Sequence, residues 1–265
     1  MTIEQIIVLA VVQGVTEFLP ISSSGHLILV PQIMHWQDQG LVVDVMTHLG
    51  TLLAILIYFW RDVARLIKGA LELLKGRVTP DGRLAIYIVL ATIPAVAFGI
   101  FLKEYGFTDL ERNVAVVAWN TILYGILMLI ADMVGPQEKT IANMTLGSAL
   151  VIGVAQALAL IPGTSRSGVT MTAARFLGFT RPDSARFSFL LGIPAIAGAG
   201  IFTVGDALAS GELITMDAVY CAGLTFVAGL AAIAFLMALV KRISFLPFVL
   251  YRMVLGGFLL VLLYT

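Results

Sequence analysis

Gln13, Glu17, Ser22, Ser23, Ser24 and His26 fall in one stretch, QGVTEFLPISSSGH, with apolar sequence on either side. A second stretch, PGTSRSGVT from Pro162 to Thr170, sets Thr164, Ser165, Arg166, Ser167 and Thr170 behind another proline. Polar groups are costly to bury in apolar surroundings, so two such concentrations point to chemistry. Gln13 and Glu17 are four apart and share a helix face. Ser23 and His26 are three apart, close enough at a helix start for direct contact. Serine becomes nucleophilic with a base beside it, and His26 can be that base. Glu17 can orient the histidine, or hold a divalent cation against substrate phosphates, because hard cations prefer oxygen. The planar fork of Arg166 suits phosphate oxygens and stabilises charge that develops on them. The chemistry is phosphoryl transfer. The plainer reading is a structural Glu17–Arg166 ion pair that holds two loops together. The P-loop pattern GxxxxGK[ST] needs a lysine that GTSRSG lacks, which disfavours nucleotide.

The elements that must position these residues lie in a membrane. Of 265 residues, 60% are hydrophobic and 12% charged, and mean hydropathy is +1.01. A soluble domain carries about a quarter charged residues. Several apolar runs approach the roughly 20 residues that cross a bilayer, so the chain is an all-α polytopic membrane protein. No linker or charge block divides residues 1–265, which form one membrane domain. The N-terminal run has no basic segment and carries Glu4, unlike a cleaved signal peptide. Cys221, the one cysteine, lies in an apolar run as an inert buried thiol. Net charge is zero, and no nucleic-acid partner is expected.

Full spans are predicted at about 41–60, 84–102, 113–133, 185–205, 217–240 and 245–264. Two further apolar elements are broken. The first runs over 3–19, is interrupted at Pro20, and resumes from about Gly25 to Met34 with Ser22 or Ser23 as cap. The second, roughly 144–178, breaks at Pro162. Each reads as a re-entrant helical hairpin, since irregular backbone at membrane depth must be enclosed by protein or line a watery cavity. Cytoplasmic loops are enriched in Lys and Arg. Arg61, Arg65, Lys68, Lys75, Arg77 and Arg83 follow the first span; Arg175, Arg181 and Arg186 lie near 180, and Lys241 and Arg242 near 240. Asp206, Glu212 and Asp217 mark the 206–217 loop, and Glu104, Asp109 and Glu111 outnumber Lys103 and Arg112 in the 103–112 loop. Alternation then places both termini outside. The two hairpins enter from opposite faces, which makes halves 1–134 and 143–265 an inverted-topology repeat with its site near the midplane. Gln13…Leu19-Pro20…Ser24-Gly25 echoes Gln156…Ile161-Pro162…Ser167-Gly168, with a one-residue difference in spacing.

The two motifs resemble those of the undecaprenyl-diphosphate phosphatase family, also called the bacitracin-resistance protein family: [E/Q]xxxE followed by a Ser-Ser-(Ser/Thr)-Gly-His run, and PGxSRSxxT. KRISFLPFVLYR near the C-terminus is also similar, and the resemblance covers essentially the whole chain. It implies a bacterial inner-membrane enzyme with six spans, two hairpins and a site that opens to the periplasm. Such an enzyme removes one phosphate from a C55 isoprenoid diphosphate, which regenerates the carrier lipid for cell-wall synthesis and confers bacitracin resistance. It also implies a divalent cation, Mg2+ or Ca2+. On this chain the resemblance assigns Gln13 and Glu17 to the acidic motif, Ser22, Ser23 and His26 to the serine–histidine motif, and Ser165, Arg166 and Thr170 to the second. Ser24, Gly25 and Ser167 complete the expected phosphate-binding set around Ser22, Ser165 and Thr170, with Ser23, His26, Glu17 and Arg166 as the reacting group. Gln13 stands where many members have Glu, so within this pair metal binding rests on Glu17. Ser23 is the favoured nucleophile, with His26 as base or alternative nucleophile. The oligomeric state stays open, a dimer included.

A lipid transporter is the competing class, since inverted repeats with midplane sites are transporter architecture, but a carrier has no need of a serine–histidine cluster. A type-2 phosphatidic-acid phosphatase needs a histidine downstream of its SR element, and His48 is the last histidine here. His48 and Asp44 read as a partly wet helix start, His35 beside Trp36 as an interfacial anchor, and Arg252 as a structural residue or one that snorkels to the cytoplasmic face.

Overall fold

The computed structural model describes residues 1–36, 39–105, 113–209 and 215–264. The described residues form eleven α-helices: α1 (Ile3–Thr16), α2 (Ser23–Met34), α3 (Leu41–Tyr58), α4 (Trp60–Leu74), α5 (Pro80–Glu104), α6 (Val114–Val134), α7 (Leu146–Leu158), α8 (Arg166–Phe176), α9 (Arg181–Ala209), α10 (Met216–Leu239) and α11 (Leu246–Tyr264). Six of them, α3, α5, α6, α9, α10 and α11, are long and apolar enough to cross a membrane. These are the six predicted spans, with ends moved by a few residues, and α5 and α9 keep Pro94 and Pro194 inside the helix. Asp109, Glu111, Arg112 and Glu212 lie outside the described residues, as do the side chains of Ser24 and Asp206.

α1, α2, α7 and α8 are 14, 12, 13 and 11 residues long. At about 1.5 Å per residue none exceeds about 21 Å, against about 30 Å of hydrocarbon. They come as two broken pairs, α1–α2 around Pro20 and α7–α8 around Pro162. Thr2 and Thr145 cap the first arms by accepting from Gln5 N and Ser148 N. α2 begins at Ser23 rather than Gly25, because Ser22, at φ 75°, turns the chain immediately ahead of it. Ser165, at φ 71°, does the same ahead of α8. One constant sequence offset separates Thr2 from Thr145, Gln13 from Gln156, Ser22 from Ser165 and Gly25 from Gly168. The one-residue mismatch in the echo is therefore confined to Leu19-Pro20 against Ile161-Pro162.

α1 packs along α10, and α7 along α5. These contacts are close because the helices present small residues to each other. A β-carbon on Gly14 would lie 2.6 Å from Ala228 Cβ, and one on Gly153 would lie 2.2 Å from the Ala91 carbonyl oxygen. α3 packs on α9 and α10, and α6 on α11 and α8. Phe18, in the first break, meets Phe189 of α9 edge-on at 5.5 Å and 87°.

Ties at the helix ends sort the connections into two groups. The N-terminal amine donates to Asp217 Oδ2 at 2.6 Å, which joins the chain start to the first turn of α10. Arg186 of α9 pairs with Asp62 of α4. Asp132, at the end of α6, accepts from Arg175 Nε at 3.2 Å, Arg181 Nε at 2.7 Å and Phe245 N at 3.0 Å. The connections around 60, 135, 180 and 245 thus gather at one end of the bundle.

One element differs from the sequence expectation. The basic segment after the first span is a helix, α4, not a loop. Trp60, Ile67, Leu71 and Leu74 are exposed along it, with Arg61, Arg65 and Lys68 between them, and Arg61 lies 5.3 Å from the Trp60 ring centroid. Apolar residues at helical spacing with a basic opposite side describe an amphipathic helix of the membrane surface.

Candidate active site

The two breaks meet. Glu17, the residue that ends α1, is 6% exposed, and its carboxylate gathers side chains from four helices. Oε1 accepts from Arg166 Nη2 at 2.9 Å. Oε2 accepts from Gln13 Nε2 at 3.1 Å and from Ser23 Oγ at 2.8 Å, and lies 3.7 Å from His48 Nε2. α1, α2, α3 and α8 each contribute one of these partners. A buried carboxylate is tolerated when its lone pairs are filled and a cation stands beside it, and here both conditions hold.

Arg166 opens α8. Its Nη2 is on Glu17, while Nη1 is buried and has no hydrogen-bond partner among the described residues. An orphaned buried donor costs about 1–3 kcal/mol, so this guanidinium can take an acceptor beyond those the described residues provide. It has room because α9 carries Gly192, where a β-carbon would sit 1.9 Å from Nη1. Gln13 Oε1, on the residue whose Nε2 holds the same carboxylate, is a second buried polar atom without a partner among the described residues.

The direct Ser23–His26 contact suggested by their spacing is not made. Ser23 is directed at Glu17, and both ring nitrogens of His26 are engaged elsewhere. Nδ1 is 2.7 Å from the Ser22 carbonyl oxygen and Nε2 is 2.5 Å from the Tyr251 hydroxyl. A carbonyl only accepts, so Nδ1 carries the proton and Nε2 offers its lone pair to Tyr251. The His26 and Tyr251 rings stack at 5.7 Å and 13°, which brings α11 to the rim of the site.

A comparison with known proteins decides what this arrangement belongs to. The family described as Bacitracin resistance protein BacA matches residues 6–258. The chain belongs to the BacA family. It is 46% identical over 267 residues to an undecaprenyl-diphosphatase of Jannaschia sp., covering 100% of both chains. It is 48% identical over 282 residues to one of Erythrobacter litoralis, covering 98% of this chain and 99% of the other. A third, of Maricaulis maris, is 50% identical over 266 residues with the same coverage, 98% and 99%.

In this BacA-family chain the remaining hydroxyls of the second motif are turned into the protein. Ser165 Oγ caps α8 by accepting from Gly168 N at 3.1 Å. Ser167 Oγ donates to the Leu19 carbonyl at 3.2 Å, stitching α8 to the first break. Thr170 Oγ1 lies 2.8 Å from the Arg166 carbonyl and 2.6 Å from Ser188 Oγ. Ser22 is fully buried at the turn, and a β-carbon on Gly25 would meet Val117 Cγ1 at 3.2 Å.

Two residues outside the predicted set join the site's framework. His48 stands against Glu17 rather than at a merely wet helix start; its spacing from Asp44 on an apolar helix was the available signal. Arg252 does not snorkel. It is fully buried and donates to the carbonyls of Pro20 at 3.3 Å, Thr121 at 2.9 Å, Gly163 at 3.0 Å, Thr164 at 3.1 Å and Asn120 at 3.3 Å. These carbonyls come from both breaks and from α6, so one guanidinium bolts the two tips together. A single arginine inside an apolar run is the mark such a residue leaves in sequence.

Among the described residues no three His, Cys, Asp or Glu side chains cluster as a closed metal cage. The oxygens at the site are the Glu17 carboxylate, which already accepts from Arg166, Gln13 and Ser23, and the unpartnered Gln13 Oε1. A hard cation that keeps its waters would reach Glu17 there only by displacing one of those donors.

Proposed function

We propose that this chain is an undecaprenyl-diphosphate phosphatase: it hydrolyses a C55 isoprenoid diphosphate to the monophosphate and inorganic phosphate, in a bacterial inner membrane. Membership of the BacA family and its named relatives support the reaction. The observation that carries it to particular atoms is the convergence of Ser23 and Arg166 on Glu17, with Arg166 Nη1 left open. The product replenishes carrier lipid for peptidoglycan synthesis, and the activity accounts for bacitracin resistance.

The roles follow from the hydrogen-bond directions. Ser23 already donates its proton to Glu17, so Glu17, rather than His26, is the base in place. Ser23 Oγ attacks the terminal phosphorus and the bridging P–O bond breaks. The prenyl monophosphate departs with that oxygen, and water then cleaves the phosphoserine to release phosphate. Arg166 turns from Glu17 to the equatorial oxygens as the serine proton moves, and Nη1 supplies the second prong of the fork. His26 holds its Nε2 lone pair at the rim against Tyr251, where it receives or returns a proton. Ser22, Ser24, Gly25, Ser165, Ser167 and Thr170 shape the two tips that present backbone N–H groups to phosphate. A divalent cation, Mg2+ or Ca2+, would be held by Glu17 once Arg166 turns away, with Gln13 nearby, and would neutralise the diphosphate charge.

The topology proposed is an inverted repeat in which α1–α2 and α7–α8 are re-entrant hairpins from opposite faces, with both termini and the site on the periplasmic side. Several observations support it. The helices are too short to span, the two tips follow one sequence offset, and the basic connections gather at one end while the N-terminus pairs with Asp217 at the other. No observation favours a transporter over a hydrolase. The test is phosphate release from C55 diphosphate by the purified protein in detergent: turnover that disappears in Arg166→Ala supports the assignment, and a folded preparation with no turnover overturns it.

A further inference from the structure

Away from the reacting group, at the end of the bundle where the basic connections gather, lies a cavity of about 310 Å³. That volume is at the lower limit of small-ligand sites, about 300–1,000 Å³. Its charged lining is Arg65 of α4, Arg83 of α5 and Arg186 of α9, set against Asp62 and Asp81, with Leu66, Leu84 and Tyr87 among its apolar walls. The three guanidiniums exceed the two carboxylates by one charge. Asp62 is fully committed: Arg186 grips it through Nε at 3.1 Å on Oδ2 and through Nη2 on Oδ1, and Arg65 Nη2 donates to the same Oδ1. That grip fixes two forks in place and leaves Nη1 of each without a protein acceptor among the described residues. Arg83 is exposed and makes no ion pair among the described residues.

We propose that this cavity binds the phosphate of an anionic lipid headgroup. The chemistry required is a phosphate ester facing three arginines, which suits bidentate guanidinium recognition. α4 supplies the reason to expect that phosphate on a lipid. Its exposed Trp60, Ile67, Leu71 and Leu74 place it at the acyl boundary, so the cavity beside it opens at headgroup depth. Tyr87 and the leucines then line the path of the glycerol and upper acyl chain. Free inorganic phosphate shares the recognised group and is the alternative source. None of these residues touches Glu17, Ser23, His26 or Arg166, so the site is separable from the phosphatase reaction.

The experiment is native mass spectrometry of the full-length protein released from micelles that hold equal phosphatidylglycerol and phosphatidylcholine, with Arg83→Ala and Arg65→Ala/Arg83→Ala alongside. Neither residue is buried, so both variants keep the fold, and their phosphate release from C55 diphosphate stays at the parent level. A surface arginine is worth about fivefold in affinity for anionic lipid. Phosphatidylglycerol retention is therefore expected to fall about fivefold in the single variant and further in the double. Equal retention of the two lipids by the parent, or retention unchanged in the double variant, overturns the proposal. A parallel arm measures [32P]phosphate binding by equilibrium dialysis. Phosphate binding that is lost in the double variant, without lipid preference, reassigns the cavity to free phosphate and overturns the lipid assignment.

Discussion

Arg166 donates to Glu17 at 2.9 Å across 149 residues of sequence, and this one contact joins the two broken helix pairs at the point where Ser23 also arrives. The pair is a structural tie in which Arg166 gives Glu17 one nitrogen while its other has no partner among the described residues. The structural reading of this pair is thus met by its geometry, and the proposed catalytic role uses the same contact.

Replacement of Arg166 by alanine is expected to lower kcat by at least about 10²–10³-fold, the usual effect of losing one donor to a developing oxyanion. Arg166→Lys keeps a charge but has no fork, and is expected to recover less than a tenth of parental kcat. Steady-state phosphate release, with circular dichroism to verify helix content, checks both; near-parental kcat in the lysine variant would show that Nη1 is not used.

Gly192 offers a test of position alone. A β-carbon there would come within 1.9 Å of Arg166 Nη1, and the end of an arginine side chain moves more cheaply than backbone. Gly192→Ala is thus expected to fold normally but displace the guanidinium, with kcat reduced on the order of 10²-fold, the effect of roughly 1 Å of misplacement. Parental kcat in a variant with unchanged melting temperature would mean that the guanidinium works from another position.

Much of this was legible in the sequence. Six spans are long apolar runs, and the two tips stand out because polar and ionisable residues interrupt such runs. What was hidden depended on direction and distance. The Ser23–His26 spacing permits contact, but the turn at Ser22 aims Ser23 at Glu17 and lays His26 against the Ser22 carbonyl and Tyr251. His48 and Arg252 were visible as polar residues in apolar helices, yet their partners come from other helices that no local pattern pairs with them. α4 escaped because its basic residues read as loop charge, although its apolar residues already recur at helical spacing.

The serine and the histidine separate by mutation. Ser23→Ala is expected to remove most turnover, since no other hydroxyl among the described residues donates to Glu17. Tyr251→Phe deletes only the hydroxyl on His26 Nε2, a hydrogen bond worth about 0.5–1.5 kcal/mol, and is expected to lower kcat by no more than about tenfold. Substantial turnover in Ser23→Ala together with none in His26→Ala would transfer the attack to Nε2. A stable phosphohistidine rather than phosphoserine in quenched reactions would report the same.

Sidedness is open to chemical labelling. In a Cys221→Ala background, Glu212→Cys places a thiol in the acidic connection that precedes Asp217, the residue paired with the N-terminal amine. Reaction with an impermeant maleimide in intact spheroplasts is expected, and none for Lys75→Cys until lysis. The opposite pattern would invert the topology and turn the site toward the cytoplasm.

Arg252 is the residue whose loss should cost stability rather than chemistry alone. It fills five carbonyls, from Pro20, Asn120, Thr121, Gly163 and Thr164, and is fully buried. Arg252→Met keeps much of the volume but leaves those acceptors unfilled at membrane depth, where no water replaces the lost donors. At about 1 kcal/mol per net hydrogen bond, a loss of about 3–5 kcal/mol is expected. The breaks should then loosen together, so that Glu17 and Arg166 no longer meet and activity falls with the fold. Arg252→Lys reaches fewer carbonyls and is expected to lie between the two. Thermal unfolding in detergent, read beside kcat, separates this from a catalytic effect: an unchanged melting temperature with lost activity would make Arg252 a participant in the reaction instead of the bolt between the tips.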